Sequence, residues 1–291
     1  MICSGIYTAL ITPFNTSDQL DLAGFRQLVR LQEEADIDGI LVLGTTGETP
    51  TLSPSEKESI IKTAREKWTK PTLMVGCGTY STTQTLENIF HAKACGADSA
   101  LIITPFYNKP TQEGIFCHFE VLSRASPLPI VVYNNPARTC INIEIQTLQR
   151  IAQLPGVIGV KETSGSVLHM SEILQTIKQE RPEFAVLAGD DNMAFVTRCL
   201  GGDGVISGVS NIFPEAVKQL YFGDFKTAQK LNGDLTPLFK ALVVETNPIP
   251  LKALMLLAGL PSGNPRLPLT PLSSKWISLF QNLLKDMQQQ W

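Results

Sequence analysis

Short apolar runs alternate with longer amphipathic stretches along most of this chain. Runs at residues 6–12, 39–43, 72–77, 99–104, 129–133, 157–161, 184–188 and 204–207 have the length and character of buried parallel strands. The stretches between and after them, at residues 21–35, 82–95, 112–123, 143–153, 167–180, 192–200 and 214–222, read as helices. In the first of these, Leu22, Phe25, Leu28, Val29 and Leu31 recur at helical spacing. A further helix starts at Ser53-Pro54-Ser55-Glu56, with Ser53 as N-cap, Pro54 at the first helical position and Glu56 closing a capping box.

Eight strand–helix units within residues 1–223 predict an α/β fold of the (β/α)8 type, a TIM barrel. A doubly wound dinucleotide-binding sheet fits less well. Thr12-Pro13-Phe14-Asn15 follows the first strand, not a Gly-x-Gly-x-x-Gly turn. The alternation stops after Gly223. Residues 224–291 read as three helices broken at Asn247-Pro248-Ile249-Pro250 and at residues 261–271, a C-terminal helical appendage that packs on the barrel or on a second subunit.

Composition narrows the function classes. With 43% hydrophobic and 18% charged residues, the 291-residue chain has the balance of an ordinary globular protein. A net charge of −3 leaves no footprint for nucleic acid, and no run of five like charges suggests a binding tail. The apolar stretch at residues 253–260 is too short for a bilayer. Met1-Ile2-Cys3-Ser4-Gly5 has no basic region ahead of an apolar core, so no signal peptide is read and a cytoplasmic location is expected. Cys3, Cys77, Cys95, Cys117, Cys140 and Cys199 form no Cys-x-x-Cys pair and read as reduced thiols. His91, His118 and His169 lack ligand spacing and, each in a predicted helix, read as surface residues. No metal site is expected.

Within this pattern one charge stands out. Lys161 ends the apolar run Gly156-Val157-Ile158-Gly159-Val160. Burying an amine is costly unless it is paired or loses its proton, and an amine that loses its proton easily is the usual nucleophile for Schiff-base formation. Taken alone, Lys161 reads as a side chain reaching for solvent. In a (β/α)8 barrel, however, chemistry gathers at the C-terminal strand ends. There Gly44-Thr45-Thr46-Gly47-Glu48 follows the second strand, Pro105-Phe106-Tyr107-Asn108 the fourth, and Tyr133-Asn134-Asn135-Pro136-Ala137-Arg138-Thr139 the fifth. Tyr133 is a candidate proton carrier, with Thr46 and Tyr107 extending a hydroxyl chain. The loop hydroxyls and N–H groups at Thr45 and Thr46 suit a carboxylate, and Arg138 offers a fork for a second one. Each has a plain alternative: Tyr133 as a core aromatic, Tyr107 packed on Phe106, the two-glycine segment as a structural turn, Arg138 as an exposed loop residue.

These segments, together with Gly159-Val160-Lys161-Glu162, Gly189-Asp190-Asp191 and Asn247-Pro248-Ile249-Pro250, resemble dihydrodipicolinate synthases, pyruvate-dependent class I aldolases related to N-acetylneuraminate lyase. The likeness runs through the whole chain. It implies that pyruvate forms an imine with Lys161 and that the resulting enamine adds to L-aspartate 4-semialdehyde, with no metal or organic cofactor. It further implies a relay of Tyr133, Thr46 and a Tyr107 from a neighbouring subunit. Thr45 and Thr46 would hold the pyruvate carboxylate and Arg138 the semialdehyde carboxylate. The Ile206 carbonyl and Gly189 would lie at the bound substrate. A homotetramer built as a pair of tight dimers is implied.

Arg138 favours this chemistry over that of relatives cleaving sugar-derived keto acids, which usually lack an arginine there. Such a lyase, and a non-catalytic keto-acid-binding barrel, are the competing readings. The chain departs from lysine-inhibited members at Lys57, Tyr80, Gln84 and Phe106, where those carry His, Asn, Glu and Tyr. Weak or absent inhibition by L-lysine is therefore expected.

Overall fold

The computed structural model describes residues 3–288. Strands β1 (Gly5–Ala9), β2 (Gly39–Val42), β3 (Leu73–Gly76), β4 (Ser99–Ile103), β5 (Ile130–Asn134), β6 (Val157–Glu162), β7 (Ala185–Ala188) and β8 (Gly204–Ser207) are parallel and close into a barrel in sequence order. This is the (β/α)8 barrel that the alternation predicts.

The barrel works because each strand is apolar on both faces. Outward residues such as Ile6, Ile40, Val42, Ile102, Val132, Val160 and Val205 pack under the helices. Inward residues Tyr7, Leu41, Met74, Leu101, Val131, Leu187 and Ile206 fill the barrel itself. Side chains alternate along a strand, so Tyr133 and Lys161, paired across β5 and β6, fall on the inner face at the same level.

The covering helices are α1 (Leu22–Glu34), α2 (Pro54–Lys67), α3 (Thr82–Ala94), α4 (Gln112–Ala125), the short α5 (Pro136–Thr139), α6 (Ile145–Ala152), α7 (Val167–Glu180), α8 (Ala194–Cys199) and α9 (Pro214–Phe222). The capping box at α2 forms as read: Glu56 N donates to Ser53 Oγ at 3.2 Å and Ser53 N to the Glu56 carboxylate at 2.8 Å. Helix α5, one turn capped by Asn135, lies where the sequence showed only a loop.

Two histidines correct the reading of surface placement. His118 on α4 and His169 on α7 are buried. His118 Nδ1 meets Thr82 Oγ1 at 2.9 Å, and burial pulls its pKa down to about 4. His169 sits between Glu162 and Glu172, 3.7 and 3.8 Å away. Both lie on helix faces that pack inward, which position along the helix alone did not reveal.

Beyond Gly223 come α10 (Phe225–Ala241), α11 (Ile249–Leu257) and α12 (Ile277–Gln288). Leu235, Leu251, Met255 and Phe280 from this region join the outer hydrophobic core of the barrel. Among the described residues no helix is long and apolar enough to cross a membrane.

Candidate active site

Lys161 is 7% exposed, and its Nζ lies 4.3 Å from the centroid of the Tyr133 ring. The adjacent carboxylate does not neutralise it. Strand alternation turns Glu162 outward, where it accepts from Asn134 Nδ2 at 2.8 Å and Ser164 N at 2.6 Å. The π-face of Tyr133 and a polar cavity are what the amine meets.

That cavity, about 770 Å³, is lined by Thr45, Thr46, Tyr133, Arg138, Lys161, Gly189 and Ile206 among others. Seven of the eight residues singled out in the sequence therefore share one space. Thr46 is buried and its Oγ1 accepts from Asn247 Nδ2 at 3.0 Å. The loop carrying Thr45 and Thr46 is tight: Gly47 N donates to Gly44 O and Glu48 N to Thr45 O, both at 3.1 Å. Ile206 is buried on β8, beside Tyr7. Gly189 is needed as glycine, since an added Cβ would collide with Thr163 Oγ1 and come within 3.0 Å of Lys161 Cε. Arg138 is exposed at the rim, its Nη2 donating to Asn247 O at 3.1 Å.

Tyr107 is the exception. It stands in the loop after β4, 91% exposed, with a left-handed φ of 69°, and does not line that cavity. Within one chain the proposed relay therefore stops at Tyr133 and Thr46. No direct bond joins those two hydroxyls; Tyr133 Oη instead accepts from Asn135 Nδ2 at 2.7 Å.

Several residues of the site have no role in the sequence reading, although Asp190 and Asp191 stand in one of the segments that carry the family resemblance. Asp190 lines the cavity. Burial pushes its pKa up to about 6, with the charge of Lys161 pulling the other way. Burial also raises the pKa of Asp191, opposed by donors from Ser207 Oγ, Gly208 N at 2.9 Å and Val209 N at 3.2 Å. Thr163 Oγ1 is buried beside Gly189 with no hydrogen-bond partner among the described residues.

Lys252 of α11 forms a fully buried ion pair with Glu48 at 2.6 Å, each side chain 1% exposed. Its Nζ also donates to Thr12 O at 3.0 Å and Asn264 O at 3.2 Å, while Arg266 N donates to the other Glu48 oxygen at 2.9 Å. Burial lowers the pKa of Lys252, and Glu48 opposes the shift. One signal would have found it: Lys252 is the only charge in Ile249–Leu257, the same anomaly that drew attention to Lys161.

A second cavity of about 880 Å³ adjoins the first, sharing Thr45, Tyr133, Arg138 and Asn247. Lys57, Tyr80, Gln84 and Phe106 all line it. Tyr80 and Phe106 meet edge to face at 5.6 Å, and burial pulls the pKa of Lys57 down.

A lysine held inside the rim of a (β/α)8 barrel, against a tyrosine ring and beside a hydroxyl-rich loop, is the arrangement of a class I aldolase-type lyase. The chain belongs to the dihydrodipicolinate synthetase family, whose sequence model matches residues 2–287. It is 46% identical over 296 residues to the 4-hydroxy-tetrahydrodipicolinate synthase of Protochlamydia amoebophila, covering 100% of this chain and 99% of that one. The crystal structure of dihydrodipicolinate synthase from Thermotoga maritima superposes with a TM-score of 0.95 at 40% identity, with 99% of each chain covered. A structure described as the first monomeric dihydrodipicolinate synthase variant gives 0.94 at 41% identity, covering 98% of this chain and 97% of that one.

Proposed function

We propose that this enzyme condenses pyruvate with L-aspartate 4-semialdehyde to 4-hydroxy-tetrahydrodipicolinate, in the route to diaminopimelate and lysine. The observation that carries the reading is the pairing of Lys161 with Tyr133 on the inner face of the barrel, 4.3 Å from Nζ to ring centroid. Family membership and the names of full-length relatives support the choice of substrates.

Lys161 Nζ attacks the keto carbon of pyruvate to give a carbinolamine. Tyr133 protonates the departing hydroxyl, and water leaves as the iminium forms. The positive imine nitrogen is the electron sink, so a methyl proton leaves and an enamine results without an external cofactor. The enamine carbon adds to the semialdehyde aldehyde, whose oxygen takes a proton. The ammonium of the product gives up a proton, and the free amine attacks the imine carbon, closing the ring and releasing Lys161 as its amine.

The other residues follow from charge. Thr45, Thr46 and the N–H groups of their loop hold the pyruvate carboxylate. Gly189 and the Ile206 carbonyl border the bound pyruvate. Arg138 at the rim takes the semialdehyde carboxylate, and Asp190 faces its ammonium. Tyr107 completes the relay from a second copy of the chain, a role supported by its exposure. In this reading residues 1–223 carry the chemistry, residues 224–291 brace it, and the enzyme is a cytoplasmic homotetramer of two tight dimers.

Incubation with pyruvate, borohydride reduction and peptide mass spectrometry should find the adduct on Lys161. An unmodified Lys161 would remove imine chemistry from this site. Turnover of aspartate semialdehyde should exceed that of N-acetylneuraminate, and Arg138→Ala should lose semialdehyde turnover far more than pyruvate binding. Equal loss of both would reject the role given to Arg138.

A further inference from the structure

Tyr133, Asn134 and Asn135 alternate inward, outward and inward at the end of β5. Asn134 turns to Asn142 and Glu162, while Asn135 is buried in the site. The orientation of the Asn135 amide follows from its neighbours. Arg138 N can only donate, and it is shared between the Asn135 backbone carbonyl at 3.1 Å and Asn135 Oδ1 at 3.2 Å. Nδ2 is thereby aimed at Tyr133 Oη, 2.7 Å away, and the phenol oxygen is the acceptor. Reversing the amide would set two donors against each other at Arg138.

This has a chemical consequence for the phenol. The tyrosine hydrogen cannot point at an N–H donor, so it is directed away from Asn135, and Tyr133 borders the cavity that holds Lys161. When that hydrogen leaves, the Asn135 N–H already faces the oxygen on which negative charge develops, with no reorganisation needed. The same amide caps the turn bearing Arg138.

We propose that Asn135 is a positioning residue for proton transfer, holding Tyr133 Oη as a hydrogen-bond acceptor and so committing the phenol proton to the substrate side. This rests on the reading of Tyr133 as the proton-transferring group. Asn135 thereby couples the proton carrier to the turn that carries Arg138, through opposite ends of one amide.

The test separates the two ends. Asn135→Asp keeps an equally good cap for Arg138 N but replaces the donor with a carboxylate, which draws the phenol hydrogen to itself. Asn135→Ala loses both. In the full-length enzyme, Asn135→Asp should melt with the parent yet lower kcat about tenfold, with pyruvate KM changed about twofold or less. Asn135→Ala should slow kcat similarly. The double variant Tyr133→Phe/Asn135→Asp should be no slower than Tyr133→Phe in single-turnover imine formation, trapped with borohydride.

Parent-like kcat in Asn135→Asp, beside a slow Tyr133→Phe, would reduce Asn135 to a cap and overturn the proposal alone. A further full drop in the double variant would also overturn it, because Asn135 would then act other than through Tyr133. A near-normal Tyr133→Phe would overturn the proton-transfer reading and this proposal together.

Discussion

Asn247 Nδ2 donates a 3.0 Å hydrogen bond to Thr46 Oγ1, linking the region beyond the eighth strand–helix unit to the loop after the second strand. The same residue's carbonyl accepts from Arg138 Nη2 at 3.1 Å. Asn247 thus touches both groups to which a substrate carboxylate is assigned, and it lies at the junction of the two cavities. Replacing its amide removes the donor that holds the Thr46 hydroxyl while leaving the backbone carbonyl in place. Asn247→Ala is expected to lower kcat/KM for pyruvate about tenfold, the scale of one lost hydrogen bond, with little change in melting temperature. An unchanged pyruvate kcat/KM in steady-state assays would show that Thr46 needs no such support.

The Lys252–Glu48 pair makes a stability prediction. Lys252→Met leaves the Glu48 carboxylate buried without its cation, a change that costs about 3–5 kcal/mol. Removing both charges at once, in Lys252→Met with Glu48→Gln, is expected to recover most of that loss, because a neutral amide is far cheaper to bury. Urea denaturation of the three proteins reads this directly through the midpoint at constant slope. If the double variant is no more stable than Lys252→Met, the burden lies in packing around Phe14, over which Lys252 Nζ sits at 4.3 Å, and not in the stranded charge.

The period of the apolar runs carried the fold, since eight buried strands can be counted without knowing what packs on them. Lys161 was legible for a related reason: a charge inside an apolar run contradicts its surroundings. The roles of Asn247, Asp190 and Thr163 were not legible, even though the first two stand in segments that carry the resemblance, because polar residues in loops are ordinary until the fold places them against something. Asn247 acts across 201 residues of sequence, and nothing local marks such a contact. His118 and His169 were misread on the same ground, as a helix hides which of its faces is inward when the apolar stripe is broken by a polar residue. Helix α5 was missed because its four residues are too few for any period to show.

The second cavity carries the prediction about L-lysine. Lys57, Tyr80, Gln84 and Phe106 line it, so the positions singled out in the sequence do meet there. For a cationic effector this wall is unfavourable: Lys57 is a partly buried ammonium, and Gln84 and Phe106 bring no negative charge. Bringing the side-chain or α-amino cation of L-lysine near Lys57 adds repulsion that burial intensifies. Initial rates at saturating substrates are expected to stay unchanged in millimolar L-lysine. Gln84→Glu combined with Lys57→His is expected to introduce measurable inhibition. Strong inhibition of the parent enzyme would mean that other groups of the cavity bind the effector.

Asp190 gives the pH prediction. Burial raises its pKa from 3.8 to about 6, so between those values the folded protein holds a proton that the unfolded chain has released. Stability attributable to this group is therefore present at low pH and lost as pH rises through that window, the reverse of a salt-bridged aspartate. Asp190→Asn should flatten that part of the stability–pH curve. The catalytic consequence has the opposite sense. An ammonium on the semialdehyde needs the ionised carboxylate, so kcat/KM for the semialdehyde should rise with pH through about 6, while pyruvate imine formation, trapped with borohydride, should not follow that limb. Asp190→Asn is expected to be about ten- to a hundredfold slower in semialdehyde kcat/KM at pH 8 and to lack the acid limb. A variant that keeps the parent's acid limb would assign that titration to another group and leave the ammonium without its partner at Asp190.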